Sequence, residues 1–314
     1  MYTPLRPAQS QTLAIRNLSY HVRTWGQAQP EVPPLVLVHG WMDVGASWQF
    51  VVDALSTEFA QQRLIIAPDW RGFGRTRAPA GADSFWFPDY VADLDALVQH
   101  FAPEGQAIDL VGHSMGGNVA MMYAGARPER VRHLVNLEGF GLAATEPAQA
   151  PRRMQQWLDE LQHLHAGKLG LKTYASDAEV AQRLRKTNPR LPEDKALWLA
   201  RHWAAVQDDG RWAILGHAAH KVVNPQLFRV DEILAYYRAI TAPTLAVHAS
   251  DDSLGGWWKG KYTLEEYHQR LQSVPQRRIV QVDDAGHMLH HDQPQVVAQL
   301  IENFCSPKAP ATTA

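Results

Sequence analysis

The sequence has 314 residues, enough for two domains or for one large α/β domain with an insertion, at roughly 150 residues per domain. Apolar residues make up 46% and charged residues 20%, which excludes a disordered or fibrous chain. Lysine and arginine number 30 against 32 acidic residues, which argues against recruitment to nucleic acid by net charge. The single cysteine, Cys305, excludes an internal disulfide. With no signal peptide and no run of ~18 apolar residues, we expect a soluble cytoplasmic protein without a membrane span.

The first 140 residues alternate between strand and helix patterns. Residues 12–25 alternate loosely and predict two strands around a turn at Asn17. Apolar runs then predict strands buried on both faces, at residues 35–39, 63–69, 107–114 and 131–139. Helix-compatible stretches lie between them, at residues 47–59, 88–101 and 115–126. Strands alternating with helices predict an α/β fold with a mostly parallel, doubly wound sheet.

The alternation stops near Gly141 and resumes near Thr241. The residues between read mostly as helix, because apolar side chains recur at helical spacing, as in Met154, Trp157, Leu158, Leu161 and Leu164. Strand patterns return at residues 243–250 and 277–284, with helices at 262–272 and 294–304. The sequence therefore predicts a helical insertion before the last two strands.

We predict a core of residues 11–140 and 241–305, a helical cap of residues 141–240, and flexible tails at 1–10 and 306–314. Open α/β sheets bind ligands at the carboxyl ends of their strands. The strand ends that flank the insertion also carry the motifs described next. We therefore expect the insertion to cover the binding crevice, although it could instead merely thicken the fold.

The residues GHSMG at 112–116 fit the pattern G-x-S-x-G between a strand and a helix. Glycines allow a sharp turn there, which lifts the Ser114 hydroxyl above the sheet edge. A serine hydroxyl needs a base to become a good nucleophile. His287 follows a strand and a turn glycine downstream, which favours it over His290 and His291 as that base. The strand at 243–250 is followed by Asp251 and Asp252, which are candidates for the acid of a triad.

The residues HGW at 39–41 follow the strand LVLV. The loop after this strand normally supplies one backbone N–H of an oxyanion hole, and the residue after the nucleophile supplies the other. We therefore expect Trp41 and Met115 to donate their backbone N–H groups to a tetrahedral intermediate.

Six features together resemble the α/β-hydrolase superfamily: HGWMD (39–43), DWRGFGRT (69–76), GHSMG (112–116), the insertion, ASDD (249–252) and AGH (285–287). HGWMD and LVNLEGFGL are similar to the branch of serine hydrolase-like proteins, which implies an esterase. The family's G-x-x-D acid motif begins here with Ala249 and favours Asp252 over Asp251. The resemblance therefore implies a triad of Ser114, His287 and Asp252.

Glu138 is a rival for the acid, because it ends the strand after the nucleophile helix. Some haloalkane dehalogenases, which the superfamily includes, supply their carboxylate from this place. Glu138 could instead fix the hinge into the cap by hydrogen bonds. Dehalogenases and epoxide hydrolases themselves are disfavoured, since those families have Asp where Ser114 stands.

We expect the substrate pocket to include four large apolar side chains, Trp41, Trp157, Trp203 and Met288. His217 and His220 lack the glutamate of a zinc motif, so we expect no metal. No nucleotide-binding glycine motif occurs, so we expect no cofactor. The predicted partner is a small-molecule ester, and the oligomeric state stays open.

Two classes of function therefore remain. The first is a cofactor-independent carboxylesterase, with cleavage of C–C, lactone or amide bonds or perhydrolysis as alternatives on the same triad. The second is a non-catalytic ligand receptor built on a hydrolase fold. The complete set of triad residues favours the enzyme.

Overall fold

The computed structural model describes residues 2–79, 81–103 and 105–306. Its strands in chain order are β1 (Gln9–Ile15), β2 (Leu18–Trp25), β3 (Leu35–Val38), β4 (Ile65–Pro68), β5 (Ile108–His113), β6 (Val131–Leu137), β7 (Thr173–Tyr174), β8 (Ala204–Val206), β9 (Trp212–Ile214), β10 (Thr244–Ala249) and β11 (Arg277–Val282). Every strand predicted from the sequence is present.

Eight of these strands form one sheet in the order β1-β2-β4-β3-β5-β6-β10-β11. The pairs β1–β2 and β2–β4 are antiparallel, and every other neighbouring pair is parallel. The predicted mostly parallel α/β sheet is therefore confirmed. Because β3, β5, β6, β10 and β11 run the same way, their carboxyl ends meet at one edge.

The helices in chain order are α1 (Gln49–Ala54), α2 (Thr57–Gln61), α3 (Phe87–Phe101), α4 (Met115–Ala126), α5 (Ala150–His165), α6 (Asp177–Thr187), α7 (Glu193–Trp203), α8 (Val230–Ala239), α9 (Ser253–Trp258), α10 (Leu264–Leu271), α11 (Leu289–Asp292) and α12 (Pro294–Cys305). The single helix predicted at 47–59 is divided, because Ser56 adopts an extended backbone and caps α2 by accepting the Phe59 N–H.

The sheet is covered by helices on both faces. Alternation along β3 sends Val36 and Val38 into one apolar cluster and Leu35 and Leu37 into another. The first cluster includes side chains of α3, α4, α8 and α10, and the second includes side chains of α1 and α12. This two-sided burial explains why β3 is a continuous apolar run in the sequence.

The insertion lies between β6 and β10, as predicted, but it is not wholly helical. Besides α5, α6 and α7 it contains a small antiparallel sheet in the order β7-β9-β8. Its last helix, α8, packs on α4 so closely that a Cβ on Gly125 would lie 2.4 Å from the Tyr236 carbonyl oxygen. Helix α8, at the end of the predicted cap range, therefore belongs to the layer of helices that covers the main sheet.

Tyr2, Leu5 and Arg6 are held against α1, which differs from the predicted flexible tail at 1–10. The Asp53 carboxylate in α1 accepts hydrogen bonds from the Tyr2 hydroxyl and from the backbone N–H groups of Leu5 and Arg6. The predicted tail at 306–314 lies outside the described residues beyond Ser306. Among the described helices, none combines the length and apolar character needed to cross a bilayer.

A stack of three aromatic rings joins the insertion to the core. The His220 ring lies between Phe73 and Phe85, with centroid distances of 3.8 Å on each side. Its Nδ1 is 3.3 Å from the Tyr90 hydroxyl. Burial lowers the pKa of His220 to about 3, so the ring is neutral when the protein is folded at pH 7.

We expect the free energy of unfolding to fall as the pH is lowered from about 6.5 toward 4. The unfolded chain then binds a proton at residue 220 that the folded protein excludes, and this one group costs about 2 kcal/mol at pH 5. Urea unfolding at pH 7.5 and pH 5 measures the loss. His220→Phe keeps the stack without the titration and should lose less stability; an equal loss in both proteins would contradict the assignment.

Candidate active site

Ser114 stands in a strained turn between β5 and α4. Its backbone has φ +53° and ψ −118°, a conformation that L-residues rarely adopt. Gly112 and Gly116 permit this turn, because a Cβ on Gly112 would lie 2.4 Å from the Gly116 carbonyl oxygen, and one on Gly116 would lie 2.4 Å from that of Val38. The turn carries the Ser114 side chain to the carboxyl edge of the sheet.

The structure brings Ser114, His287 and Glu138 together. His287 Nε2 is 2.9 Å from Ser114 Oγ, and His287 Nδ1 is 3.1 Å from Glu138 Oε2. Glu138 directly follows β6, where its φ of +56° turns the chain, and its Oε1 accepts the Ala249 N–H at 2.7 Å. Three strand ends therefore place a hydroxyl, an imidazole and a carboxylate in a continuous hydrogen-bonded row.

Asp252, the acid favoured from the sequence, does not contact His287. Its side chain is exposed and caps α9 by accepting the Gly255 N–H at 2.8 Å. The turn after β10 is fixed by a bond from the Asp251 N–H to the Ala285 carbonyl oxygen, and this directs Asp252 to the start of α9. Asp251 instead pairs with Arg190, at 2.7 Å. The structure thus corrects the expected contact in favour of the rival, Glu138.

Burial governs the charges of the histidine and the carboxyl group. It lowers the pKa of His287 to about 4, so the imidazole is neutral at pH 7 and can accept a proton. It raises the pKa of Glu138, while hydrogen bonds from the Ala249 N–H and the Ser253 hydroxyl act against that rise. The Nδ1–H of neutral His287 adds another donor to the carboxylate.

The loop after β3 is held by His39, a role that the sequence did not suggest. The His39 Nδ1–H donates to the Gly40 carbonyl oxygen at 2.8 Å, and Nε2 accepts the Trp70 N–H at 2.9 Å. This fixes the backbone leading to Trp41. Within the described residues, neither the Trp41 N–H nor the Met115 N–H has a hydrogen-bond acceptor. Two backbone donors therefore remain available near Ser114.

The four residues predicted to line the pocket differ in their surroundings. Trp41 is 53% exposed and Met288 is partly buried. Trp157 packs edge-on against Trp86. Trp203 is buried, and its indole N–H donates to the Met42 carbonyl oxygen at 2.7 Å, which joins α7 to the loop after Trp41.

Two further side chains, Trp257 and His113, contact His287. Trp257 of α9 meets the His287 ring edge-on at 4.4 Å and is 54% exposed. The His113 Nε2–H donates to the His287 carbonyl oxygen at 2.7 Å. The rival bases are occupied elsewhere or buried: His291 Nε2 bonds the Ser47 hydroxyl, and His290 is fully buried. No local pattern in the sequence marks these contacts.

Two groups of described side chains are close enough to share a metal ion. One consists of Asp109, His133 and Cys305, but Arg63 and Arg132 already bind that carboxylate. The other consists of Asp43, His113 and His290, and His113 also contacts His287.

Comparison with known proteins gives consistent matches. A family model described as "alpha/beta hydrolase fold" matches residues 33–294. A serine hydrolase-like protein of Danio rerio is 25% identical over 298 residues, which cover 92% of this chain and 88% of that protein. A 2-hydroxymuconate semialdehyde hydrolase of Pseudomonas putida is 26% identical over 306 residues, covering 95% of this chain and 96% of the relative.

Solved structures agree on the architecture. The thioesterase domain from the curacin biosynthetic pathway superposes with a TM-score of 0.78 at 24% identity, covering 94% of this chain and 99% of that one. At this identity the likeness concerns the fold alone. The family match over residues 33–294 and the serine hydrolase-like relative confirm the resemblance predicted from the motifs.

Proposed function

The chain belongs to the alpha/beta hydrolase family, and we propose that it is a serine hydrolase that cleaves carboxylic esters. One observation carries the proposal: the row of hydrogen bonds from Ser114 Oγ through His287 to Glu138, with links of 2.9 and 3.1 Å. A nucleophile, a base and an orienting acid in this order are the requirements of acyl transfer through a covalent intermediate.

In the proposed reaction, Ser114 Oγ attacks the ester carbonyl while its proton passes to His287 Nε2. Glu138 holds the Nδ1–H and stabilises the imidazolium that forms. The N–H groups of Trp41 and Met115 donate to the developing oxyanion. His287 then protonates the departing alcohol, and water activated by the same imidazole releases the acid and restores Ser114.

The character of the neighbouring side chains supports an uncharged substrate. Trp41, Met115, Trp257 and Met288 are neutral, and the first and third are about half exposed. Such side chains can bury an acyl chain but offer no counter-charge to a carboxylate. The insertion, through α7 and its bond to the Trp41 loop, is proposed to set the preferred acyl length.

Hydrolysis of a C–C bond is the second candidate. It is favoured by the P. putida relative, a 2-hydroxymuconate semialdehyde hydrolase, which matches over nearly the whole of both chains. The same Ser114 and His287 would serve that reaction, so the two candidates differ in substrate rather than in nucleophile.

We expect the purified protein to hydrolyse p-nitrophenyl esters and to bind one equivalent of a fluorophosphonate at Ser114. A panel of acyl chains of graded length, followed by absorbance at neutral pH, measures the preference, and mass spectrometry locates the label. Labelling without ester turnover would move the assignment to C–C, lactone or amide bonds. Neither labelling nor turnover would favour the non-catalytic receptor.

A further inference from the structure

A buried polar cluster lies directly behind the catalytic histidine. It consists of Asp43 from the loop after β3, His113 at the end of β5 and His290 in α11, and we refer to it as the buried cluster. The exposed fractions of these residues are 6%, 1% and 0%. These three residues lie within three positions of Trp41, Ser114 and His287, respectively, along the chain.

Each member of the buried cluster has an unused polar atom. The His113 Nε2–H donates to His287, so Nδ1 carries a lone pair, and it has no partner. Asp43 Oδ1 accepts the Ser47 hydroxyl at 2.8 Å, whereas Oδ2 has no partner. Neither ring nitrogen of His290 has a partner. Each buried polar group without a hydrogen-bond partner costs about 1–3 kcal/mol of stability. Several such groups in one cluster therefore indicate that an ion or a molecule lies between them.

The geometry of the buried cluster suits a small cation. One ligand atom from each residue lies within 4.8 Å of the other two, and His290 Nε2 is 3.9 Å from Asp43 Oδ2. Ligand atoms around tetrahedral zinc, at 2.0–2.1 Å from the metal, are roughly 3.3 Å apart. Side-chain shifts of about 1 Å or less would therefore close the site around an ion.

We propose that Asp43 Oδ2, His113 Nδ1 and one ring nitrogen of His290 bind a divalent transition-metal ion of the zinc class. Two imidazoles and one carboxylate are a ligand set that such ions favour, and a water molecule can complete the tetrahedron. This site differs from the sequence-based expectation of no metal, because its ligands are far apart along the chain.

The ion would act by positioning rather than by touching substrate. It would join the loop after β3, which contains Trp41, to the turn at Ser114 and to the segment that follows His287. The Nε2–H of His113 donates to the His287 carbonyl oxygen at 2.7 Å. By binding the other ring nitrogen of His113, the ion would fix the position of the His287 imidazole relative to Ser114.

The test is the zinc content of the full chain after expression in zinc-supplemented medium and gel filtration. We expect one equivalent in the wild-type protein, and a content lowered more than about tenfold in Asp43→Asn and His290→Gln. His133→Gln is the matched control, because it removes a histidine from the group of Asp109, His133 and Cys305 instead. This variant should keep one equivalent of zinc. Circular dichroism checks that each variant is folded.

A second measurement covers the case in which a variant fails to fold. The wild-type protein is treated with a chelator and titrated with Co²⁺, and we expect one equivalent with the visible absorption of a tetrahedral site and a higher thermal midpoint. Glu138→Gln should bind Co²⁺ as well as wild type does, because the triad is not the proposed site.

Three results would overturn the proposal. The first is a wild-type protein without zinc and without a Co²⁺ response, in which case a buried water satisfies the cluster. The second is retention of the metal by both Asp43→Asn and His290→Gln. The third is loss of the metal in Glu138→Gln alone, which would place the ion at the triad.

Discussion

Replacing Ser114 with alanine should lower kcat for p-nitrophenyl esters by on the order of a millionfold, the loss found when a serine protease loses its nucleophile. The imidazole of His287 would remain, but no hydroxyl would stand 2.9 Å from its Nε2. Water attacking directly would then be the only route to product. Steady-state kinetics on the best ester of the panel measures the loss.

Ser84→Ala is the matched control for this substitution. The Ser84 hydroxyl donates to Asp83, outside the hydrogen-bonded row of Ser114, His287 and Glu138, so its removal should leave kcat unchanged. Alanine at position 114 retains the turn at positive φ, so the thermal midpoint should stay near that of wild type. A folded Ser114→Ala protein with more than about 1% of wild-type turnover would refute Ser114 as the nucleophile.

The sheet was predictable because burial on both faces leaves a strong mark on the sequence. β3 is a short apolar run, β5 is buried along its whole length, and the G-x-S-x-G pattern indicates the turn at Ser114. The small sheet of the insertion left no such mark. Its strands β7, β8 and β9 have two or three residues, too few for an alternation to be read.

The sequence limited the acid that bonds His287 to a few candidate carboxylates, but it could not decide between Glu138 and Asp252. Glu138 and Asp252 each follow a parallel strand, so both reach the same sheet edge. The choice depends on two turns: the one after β6 has φ +56° at Glu138, and the one after β10 directs Asp252 into the cap of α9. Backbone conformations of this kind depend on tertiary contacts, such as the bond from the Asp251 N–H to Ala285.

The buried cluster could not be predicted from the sequence for a related reason. Asp43, His113 and His290 are separated by 70 and 177 positions, so no spacing rule brings them together. His290 also appeared only as a rival base, because closeness to His287 in the chain suggests closeness to the nucleophile. In the folded chain α11 turns its ring away into the protein, next to His113 at a centroid distance of 4.3 Å.

The second large effect on kcat is expected from replacing the acid that bonds His287. Glu138→Gln should lower kcat by up to about ten-thousandfold, as loss of the acid does in serine proteases. A glutamine can keep the bond from the Ala249 N–H through its carbonyl oxygen, but it then presents an amide N–H₂ to His287. His287 Nδ1 would become the acceptor and Nε2 would carry the proton, so the imidazole could no longer take the proton of Ser114.

Asp252→Asn is the matched control, because it also converts a carboxylate to an amide at the same sheet edge. The asparagine oxygen can still accept the Gly255 N–H, and Asn caps a helix about as well as Asp does. We therefore expect near wild-type kcat and stability for Asp252→Asn, measured on the same ester with the same fold check. If Asp252→Asn were the crippling change and Glu138→Gln nearly silent, the acid would be Asp252. The loop after β10 would then have to rearrange in the working enzyme, since its present turn holds that carboxylate on the first turn of α9.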